Sequence, residues 1–160
     1  KKKKIVLSIG RDCAAKRREA LINDWISLYN NKKGYQLIII SKNLDKNLLK
    51  IVNKIDNITY CDNINDDELI NIRKSASFDI SYSNQRNPLL VSLESISYGC
   101  IPIVNKNNET SYFNKENSIT LKELETITKE KGVKIFNNCY QGLTKRTLKA
   151  FERTVLNENL

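Results

Sequence analysis

The sequence has no histidine and no methionine, and among its 160 residues are only five glycines and two prolines. Without histidine it lacks the commonest general base and a principal zinc ligand. The cysteines are too far apart for a zinc cluster, so free thiols in a reducing cytosol are expected. They are Cys13, Cys61, Cys100 and Cys139. No apolar run approaches the ~20 residues of a membrane span, and no signal peptide is recognisable. The missing methionine favours an excised fragment of a longer protein.

The composition favours one folded domain covering residues 1–160. Hydrophobic residues make up 40% of the chain and charged residues 28%, enough for a buried core. The formal net charge of +9 admits two interpretations, a nucleic-acid surface or a general bias toward lysine. The basic residues are scattered and do not alternate with aromatic ones, so no nucleic-acid partner is predicted. A peripheral contact with anionic lipid stays open.

Apolar periodicity predicts strands and helices in alternation. The predicted strands are Lys4–Ile9, Gln36–Ile40, Ile58–Tyr60, Phe78–Tyr82 and Ile101–Val104, with a short one at Ser118–Leu121. The predicted helices are Ala15–Tyr29, Leu44–Ile55, Asp66–Ala76, Pro88–Tyr98, Lys122–Lys131 and Leu143–Leu156. This order predicts an α/β fold, a Rossmann-like parallel sheet with helices on both faces. Such sheets bind ligands beyond the carboxyl ends of their strands.

The first strand ends in SIGRDCAAKRRE, which places a glycine and two cations at such an end. Gly10 permits a tight turn and a close approach of a ligand to the backbone. Arg11 and Lys16 are a guanidinium and an ammonium able to grip a diphosphate. The alternative is a turn glycine beside solvated charges. The segment matches neither a Walker loop nor the G-x-G-x-x-G fingerprint.

The fourth strand leads into SNQRNPLLVSLE, which has the signals of a helix start. Asn87 is a good N-cap and Pro88 suits the first helical position. The amides of Leu89 and Leu90 would then point off the helix end, where phosphate binds readily. Glu94 lies further along, alone among apolar and small residues. Its carboxylate either accepts hydrogen bonds from two ribose hydroxyls or pairs with a lysine on a core helix.

The acidic run Asp66, Asp67 and Glu68 has no metal-ligand spacing. Acidic residues are favoured in the first turn of a helix by its dipole, so these residues are predicted to cap and charge a helix start. No metal site is predicted.

In this order the segments resemble the C-terminal half of GT-B glycosyltransferases, most like family 4, the "group 1" glycosyl transferases. SIGR with a following lysine is similar to that family's first-strand motif, and YQLIIIS to its second strand. NITYCDNINDDELINIRKSASFDISYS resembles the base-binding loop and fourth strand. LLVSLESISYGCIPIVNKNNE resembles the glutamate-bearing helix and the strand after it. The likeness covers about Ile5 to Thr120.

The resemblance implies roles for the residues around the diphosphate of a nucleotide-sugar donor. Arg11 and Lys16 match the family's basic pair, beside Gly10. Leu89 and Leu90 match the positions whose amides face phosphate. No cofactor is implied, because the nucleotide sugar is itself the substrate.

The resemblance also implies which residues contact the nucleoside, and at two positions this sequence departs from the family pattern. Glu94 matches the ribose-holding glutamate, so its partner is expected to be a ribose and not another residue. Cys61 and Asp62 fall where the family's loop brackets the base. Arg86 replaces a second glutamate that contacts the donor sugar, and Ser41 replaces a glycine. These departures leave the transferred sugar and the stereochemistry open.

By resemblance the chain is the donor half of a metal-independent, cytoplasmic glycosyltransferase. Its implied partners are the nucleotide-sugar donor, a glycan or lipid-linked acceptor, an N-terminal acceptor domain not included in this chain, and the inner face of the membrane. A role in surface polysaccharide synthesis is expected, with little transfer by this half alone. Two alternatives stay open: a degenerate, non-catalytic binding module, and another GT-B-fold enzyme such as a sugar epimerase.

Overall fold

Five of the six predicted strands form one parallel sheet in the part of the chain that the structure describes. The structure, a computed structural model, describes residues 4–83, 90–105 and 113–141. The strand order is β3-β2-β1-β4-β5, and every pair of neighbours is parallel. The strands are β1 Lys4–Ile9, β2 Tyr35–Ile40, β3 Ile58–Cys61, β4 Phe78–Ser81 and β5 Ile101–Val104. The chain reverses its direction of travel across the sheet between β1 and β4, which makes their carboxyl ends the expected ligand crevice.

Helices connect successive strands, and a further helix follows β5. They are α1 Arg18–Tyr29, α2 Lys46–Val52, α3 Asp66–Ser75, α4 Leu90–Ser97 and α5, residues 129–141, with short 3₁₀ turns at Ala14–Lys16 and Leu121–Leu124. Predicted residues Asn87, Pro88 and Leu143–Leu156 lie outside the described part of the chain.

The helices cover both faces of the sheet, as the alternation along β4 shows. Phe78 and Ile80 belong to the core cluster that contains Trp25 of α1. Asp79, between them, is hydrogen-bonded to side chains of α4. Because successive strand residues point to opposite faces, α1 and α4 lie on opposite sides of the sheet. Trp25 is fully buried, and its truncation to alanine should cost about 3–5 kcal/mol.

The first helix begins later than predicted. Residues Ala14–Lys16 form a separate 3₁₀ turn, and α1 starts at Arg18. The break is at Arg17, whose φ of 47° is left-handed, so an α-helix cannot run through it. Apolar spacing could not reveal this break, because the first apolar residues of the helix face, Leu21 and Ile22, lie beyond it.

The starts of α2 and α3 follow their capping residues. The Asp45 side chain accepts hydrogen bonds from the first-turn amides of α2. The helix is shorter than the predicted Leu44–Ile55. Asn65 and Glu68 form a reciprocal capping box at the start of α3. The interpretation of Asp66, Asp67 and Glu68 as a charged helix start is therefore confirmed.

The predicted helix Lys122–Lys131 is wrong. The chain makes a 3₁₀ turn over Leu121–Leu124 and starts a new helix at residue 129. Thr128 accepts a hydrogen bond through Oγ1 from the amide of Lys131 and so caps this helix. The predicted strand at Ser118–Leu121 is reduced to one isolated bridge between Ile119 and Ile103.

Candidate functional site

Backbone hydrogen bonds join the carboxyl ends of three adjacent strands into one edge, here called the rim. The amide of Gly10, just after β1, donates to the carbonyl of Ile40 at 3.0 Å. The amide of Ser41, just after β2, donates to the carbonyl of Cys61 at 3.2 Å. Gly10 and Cys61, which the sequence suggested as parts of one site, are thus on the same rim.

Gly10 has a backbone conformation that other residues rarely adopt. Its φ is +138°, so a side chain there would be strained. A Cβ would also meet Lys16, lying 3.4 Å from its Cε and 3.7 Å from its Nζ. The lysine side chain therefore lies across the glycine. The 3₁₀ turn before α1 gives Lys16 this position.

The Lys16 ammonium is half-buried among other cations. Burial lowers its pKa most, the charges of Arg18 and Arg11 lower it further, and Cys13 and Asp79 oppose the shift. Arg11 itself is exposed. An anion bound here would relieve the mutual repulsion of these cations, which is the electrostatic requirement of a phosphate site.

Arg18 is a further cation of the rim that the sequence analysis did not single out. Only 4% of it is exposed. Its guanidinium donates to Ser8 Oγ and, at 3.0 Å, to the carbonyl of Gly10, while its buried Nε has no partner. Arg18 therefore stabilises the Gly10 turn from the buried side, through its hydrogen bond to the Gly10 carbonyl. The signal was present, because Arg18 is in helical phase with the buried Ile22 and Trp25.

The first described turn of α4 shares this rim. Val91 and Ser92 line a small cavity together with Ser8, Lys16 and Arg18. Leu90 is the first residue of α4 in the described chain. The Gly10 turn and this end of α4 are therefore neighbours, as predicted for a shared site. The candidates Leu89 and Arg86 lie outside the described residues.

Glu94 has a protein partner, which corrects the expectation that its only partner would be a ribose. Its Oε2 accepts a hydrogen bond from Nη2 of Arg73, in the last turn of α3, at 2.5 Å. The Arg73 side chain is only 8% exposed, whereas that of Glu94 is 58% exposed. Right-handed crossovers from β3 to β4 and from β4 to β5 place α3 and α4 on the same face of the sheet, which brings Arg73 within reach of Glu94. The paired alternative was right in kind, with arginine in place of lysine.

Asp79, in the middle of β4, is a second carboxylate that the sequence analysis did not single out. It is fully buried, and burial raises its pKa to about 6 despite hydrogen bonds from Ser92 and Ser95 and the charges of Arg73 and Lys16. Its Oδ2 has no hydrogen-bond partner. A lone aspartate in the strand FDIS was the same kind of anomaly as Glu94.

The proposed base loop lies two strands away from the Gly10 turn. Cys61 ends β3 and is partly buried, while Asp62 is exposed. Burial, and then the nearby charge of Glu68, raises the pKa of the Cys61 thiol. Asp12 joins the Gly10 turn to the start of α2, since its Oδ2 accepts a hydrogen bond from the amide of Asp45 at 2.9 Å.

Comparison with solved structures identifies the fold. The C-terminal domain of the glycosyl transferase group 1 family protein LpcC from Francisella tularensis superposes with a TM-score of 0.74 at 16% identity, over 91% of this chain and 87% of that one. The fold is that of a GT-B C-terminal domain. TarM matches with a TM-score of 0.77 at 12% identity, over 97% of this chain and 34% of TarM. The GT-B domain thus corresponds to about a third of that larger protein.

The same GT-B likeness extends to a structure solved with ligands. The pneumococcal O-GlcNAc transferase GtfA, in complex with UDP and GlcNAc, has a TM-score of 0.69 at 16% identity, over 98% of this chain and 36% of GtfA. No protein-family model matches the sequence, and no curated protein matches it.

Two kinds of feature are absent from the described residues, 4–83, 90–105 and 113–141. None of their helices is both long and apolar enough to cross a membrane. They contain no group of three or more cysteine, aspartate or glutamate side chains arranged to hold a metal ion.

Proposed function

We propose that this domain binds a nucleoside-diphosphate sugar and is the donor half of a glycosyltransferase. The observation that carries the proposal is the cluster of Arg11, Lys16 and Arg18 at the Gly10 turn, beside the first described turn of α4. The cluster lies at the crevice between β1 and β4, where sheets of this order bind ligands. Its cations and helix amides suit a diphosphate.

The proposed chemistry is stabilisation of the leaving group. When the bond between the sugar and the diphosphate breaks, negative charge develops on the departing phosphate oxygen. Arg11, Lys16 and the amides at the start of α4 would stabilise that charge without a divalent metal. The candidate phosphate ligands are Gly10, Arg11, Lys16, Leu89 and Leu90. Glu94 would hold the ribose, and Cys61 and Asp62 would flank the base.

Two further observations support the proposal. A protein of the same fold, GtfA, was solved in complex with UDP and GlcNAc. In addition, Lys16 is held in a partly buried position by its own glycine-specific turn, which a solvated surface lysine would not need.

The acceptor would be a glycan or lipid-linked chain, and the protein would act in the cytoplasm at the inner face of the membrane, in surface polysaccharide synthesis.

Calorimetric titration tests the proposal. The chain is titrated with uridine, UMP and UDP, and with the adenosine and guanosine series. Affinity should rise from nucleoside to diphosphate for at least one base, and a nucleotide sugar should compete with that diphosphate. Equal affinity for nucleoside and diphosphate, or no binding in any series, would contradict a donor diphosphate site.

A non-catalytic donor-binding module is the second candidate, and Arg86 favours it. This arginine stands where the family resembled has a glutamate that contacts the donor sugar. A binding module would take up the nucleotide sugar and release it unchanged. The test incubates the full-length protein with nucleotide sugar and acceptor. Release of free nucleoside diphosphate in the presence of acceptor would exclude the module, and tight donor binding without release would support it.

A further inference from the structure

The ion pair between Arg73 and Glu94 differs from the other two ion pairs of the described residues. In Lys32–Glu125 and Lys131–Glu123 all four side chains are between 42% and 49% exposed. Such surface pairs hold neither partner firmly. In Arg73–Glu94 the cation is 8% exposed and the carboxylate 58%. One partner is thus anchored in the protein and the other faces solvent.

Arg73 is anchored on several sides. It occupies the last turn of α3, and its carbonyl accepts a hydrogen bond from the amide of Ala76 at 3.2 Å. The buried thiol of Cys100 lies against the same carbonyl, with Sγ at 3.8 Å. The charge of Asp79 on the neighbouring strand interacts favourably with the Arg73 guanidinium. These two hydrogen bonds fix the Arg73 backbone, and burial together with the charge of Asp79 restrains the guanidinium, whose Nε has no hydrogen-bond partner.

Among the described residues, the contact engages only one of the two Glu94 carboxylate oxygens. Oε2 is the oxygen bonded to Arg73, and no described residue donates a hydrogen bond to Oε1. A glutamate on a helix surface ordinarily samples several rotamers. Here one oxygen is pinned to a buried cation, so the orientation of the other oxygen is set before any ligand arrives.

Glu94 lies on the same helix as the rim cavity, two residues beyond Ser92. A rise of about 1.5 Å per residue puts it about 6 Å along the axis from Leu90. In a nucleoside diphosphate the ribose directly adjoins the phosphates. A ligand whose diphosphate meets the start of α4 would therefore bring its ribose toward the open side of this carboxylate.

We propose that Arg73 is a positioning residue, which orients the Glu94 carboxylate to accept hydrogen bonds from the ribose hydroxyls of the donor. The inference rests on the donor function proposed above and adds a residue to it. Fixing a flexible side chain in advance should improve affinity for the hydroxyl-bearing ligand by about twofold to tenfold. A purely structural arginine would instead affect folding and leave the recognition of ribose unchanged.

The test compares each nucleoside diphosphate with its 2′,3′-dideoxy counterpart by calorimetry on the 160-residue chain. The variants are Arg73→Lys, Arg73→Gln and the control Lys74→Gln, whose exposed side chain is next to Arg73 on α3. Arg73→Lys decides the question, because it keeps a positive charge beside Asp79 and removes the forked guanidinium. Arg73→Gln, combined with Glu94→Gln, completes a double-mutant cycle.

In the wild type and Lys74→Gln the ribose form should bind better than the dideoxy form. In Arg73→Lys this preference should fall about twofold to tenfold, while the preference for diphosphate over nucleoside is unchanged. In the cycle, Arg73→Gln should weaken the preference only when Glu94 is present.

Three results would overturn the inference. A folded Arg73→Lys that keeps the full ribose preference would remove Arg73 from recognition. A wild type that binds diphosphates without preferring ribose would end the role of Glu94 and leave the phosphate site intact. A wild type that binds no nucleotide would end both proposals.

Discussion

At the scale of single residues, the cations of the rim are the most direct test of a phosphate site. Arg11→Ala and Lys16→Ala should each weaken diphosphate binding by about 1.5–3 kcal/mol and nucleoside binding much less, since each removes a charged hydrogen bond to phosphate. Lys33→Ala is the matched control, because Lys33 is exposed and precedes β2 at the opposite end of the sheet. If the variants lost as much affinity for the nucleoside as for the diphosphate, neither Arg11 nor Lys16 would be a phosphate ligand.

Asp79 provides a residue-scale prediction about pH. Burial raises its pKa from 3.8 to about 6, so between these values the folded state keeps a proton that the unfolded state has released. The stability from this group is complete below about pH 4 and falls as pH rises to about 6, by up to about 3 kcal/mol. Asp79→Asn, which carries no titratable group, should lose this dependence.

The measurement is the free energy of unfolding by urea from pH 3.5 to pH 8, taken as wild type minus Asp79→Asn so that other groups cancel. The exposed Asp56→Asn is the control. A difference that stays flat would mean that folding does not shift the Asp79 pKa, and a difference that rises with pH would mean that folding lowers it.

At the scale of elements, α4 presents Glu94, which pairs with the buried Arg73 and is the proposed ribose ligand. Glu94→Gln should lower diphosphate affinity by about 1–3 kcal/mol if the carboxylate grips ribose, and it also removes a charge from beside the buried Arg73. We expect a loss of stability of about 1 kcal/mol, because Glu94 itself is more than half exposed. Calorimetry and urea unfolding on the same sample separate the two effects. Lost stability with unchanged affinity would make Glu94 a structural residue only.

The elements that were predictable from sequence are those with strong periodic patterns. The bounds of β1 and β5 were predicted to the residue, because both are short apolar runs buried in a parallel sheet. The region after Thr120 was mispredicted, because the predicted helix Lys122–Lys131 is divided between a 3₁₀ turn at Leu121–Leu124 and a helix that starts at residue 129. Local capping by Thr120 and Thr128 prevailed over periodicity there.

The candidate site was predictable only in part, because some of it depends on pairs that are distant in sequence. Gly10 and Lys16 lie in one local segment, and their juxtaposition could be anticipated. The contact between Arg73 and Glu94 depends on how α3 and α4 pack. The placement of Asp79 beneath Ser92 depends on the strand order. The spacing of residues along the sequence does not reveal either of these contacts.

At the scale of the whole molecule, the net charge of +9 leads to a prediction about salt and metal ions. Nucleotide binding should survive EDTA, because the rim supplies its own positive groups. Any binding to DNA or RNA oligonucleotides should be weak and should fall steeply between 50 and 200 mM salt, as expected of contacts made only through scattered lysines. A strict requirement for magnesium, or salt-resistant oligonucleotide binding, would contradict the proposed site and its ligand class.

The strand order also has a consequence during synthesis on the ribosome. The strands β1, β2 and β3 emerge first and can pair at once, but β1 must wait for β4, which follows only after all of α3. Until β4 has been synthesised, one edge of β1, the central strand of the finished sheet, has unpaired backbone amides and carbonyls exposed to solvent. The nascent chain is therefore most prone to aggregate, and most in need of a chaperone, in the interval between β3 and β4.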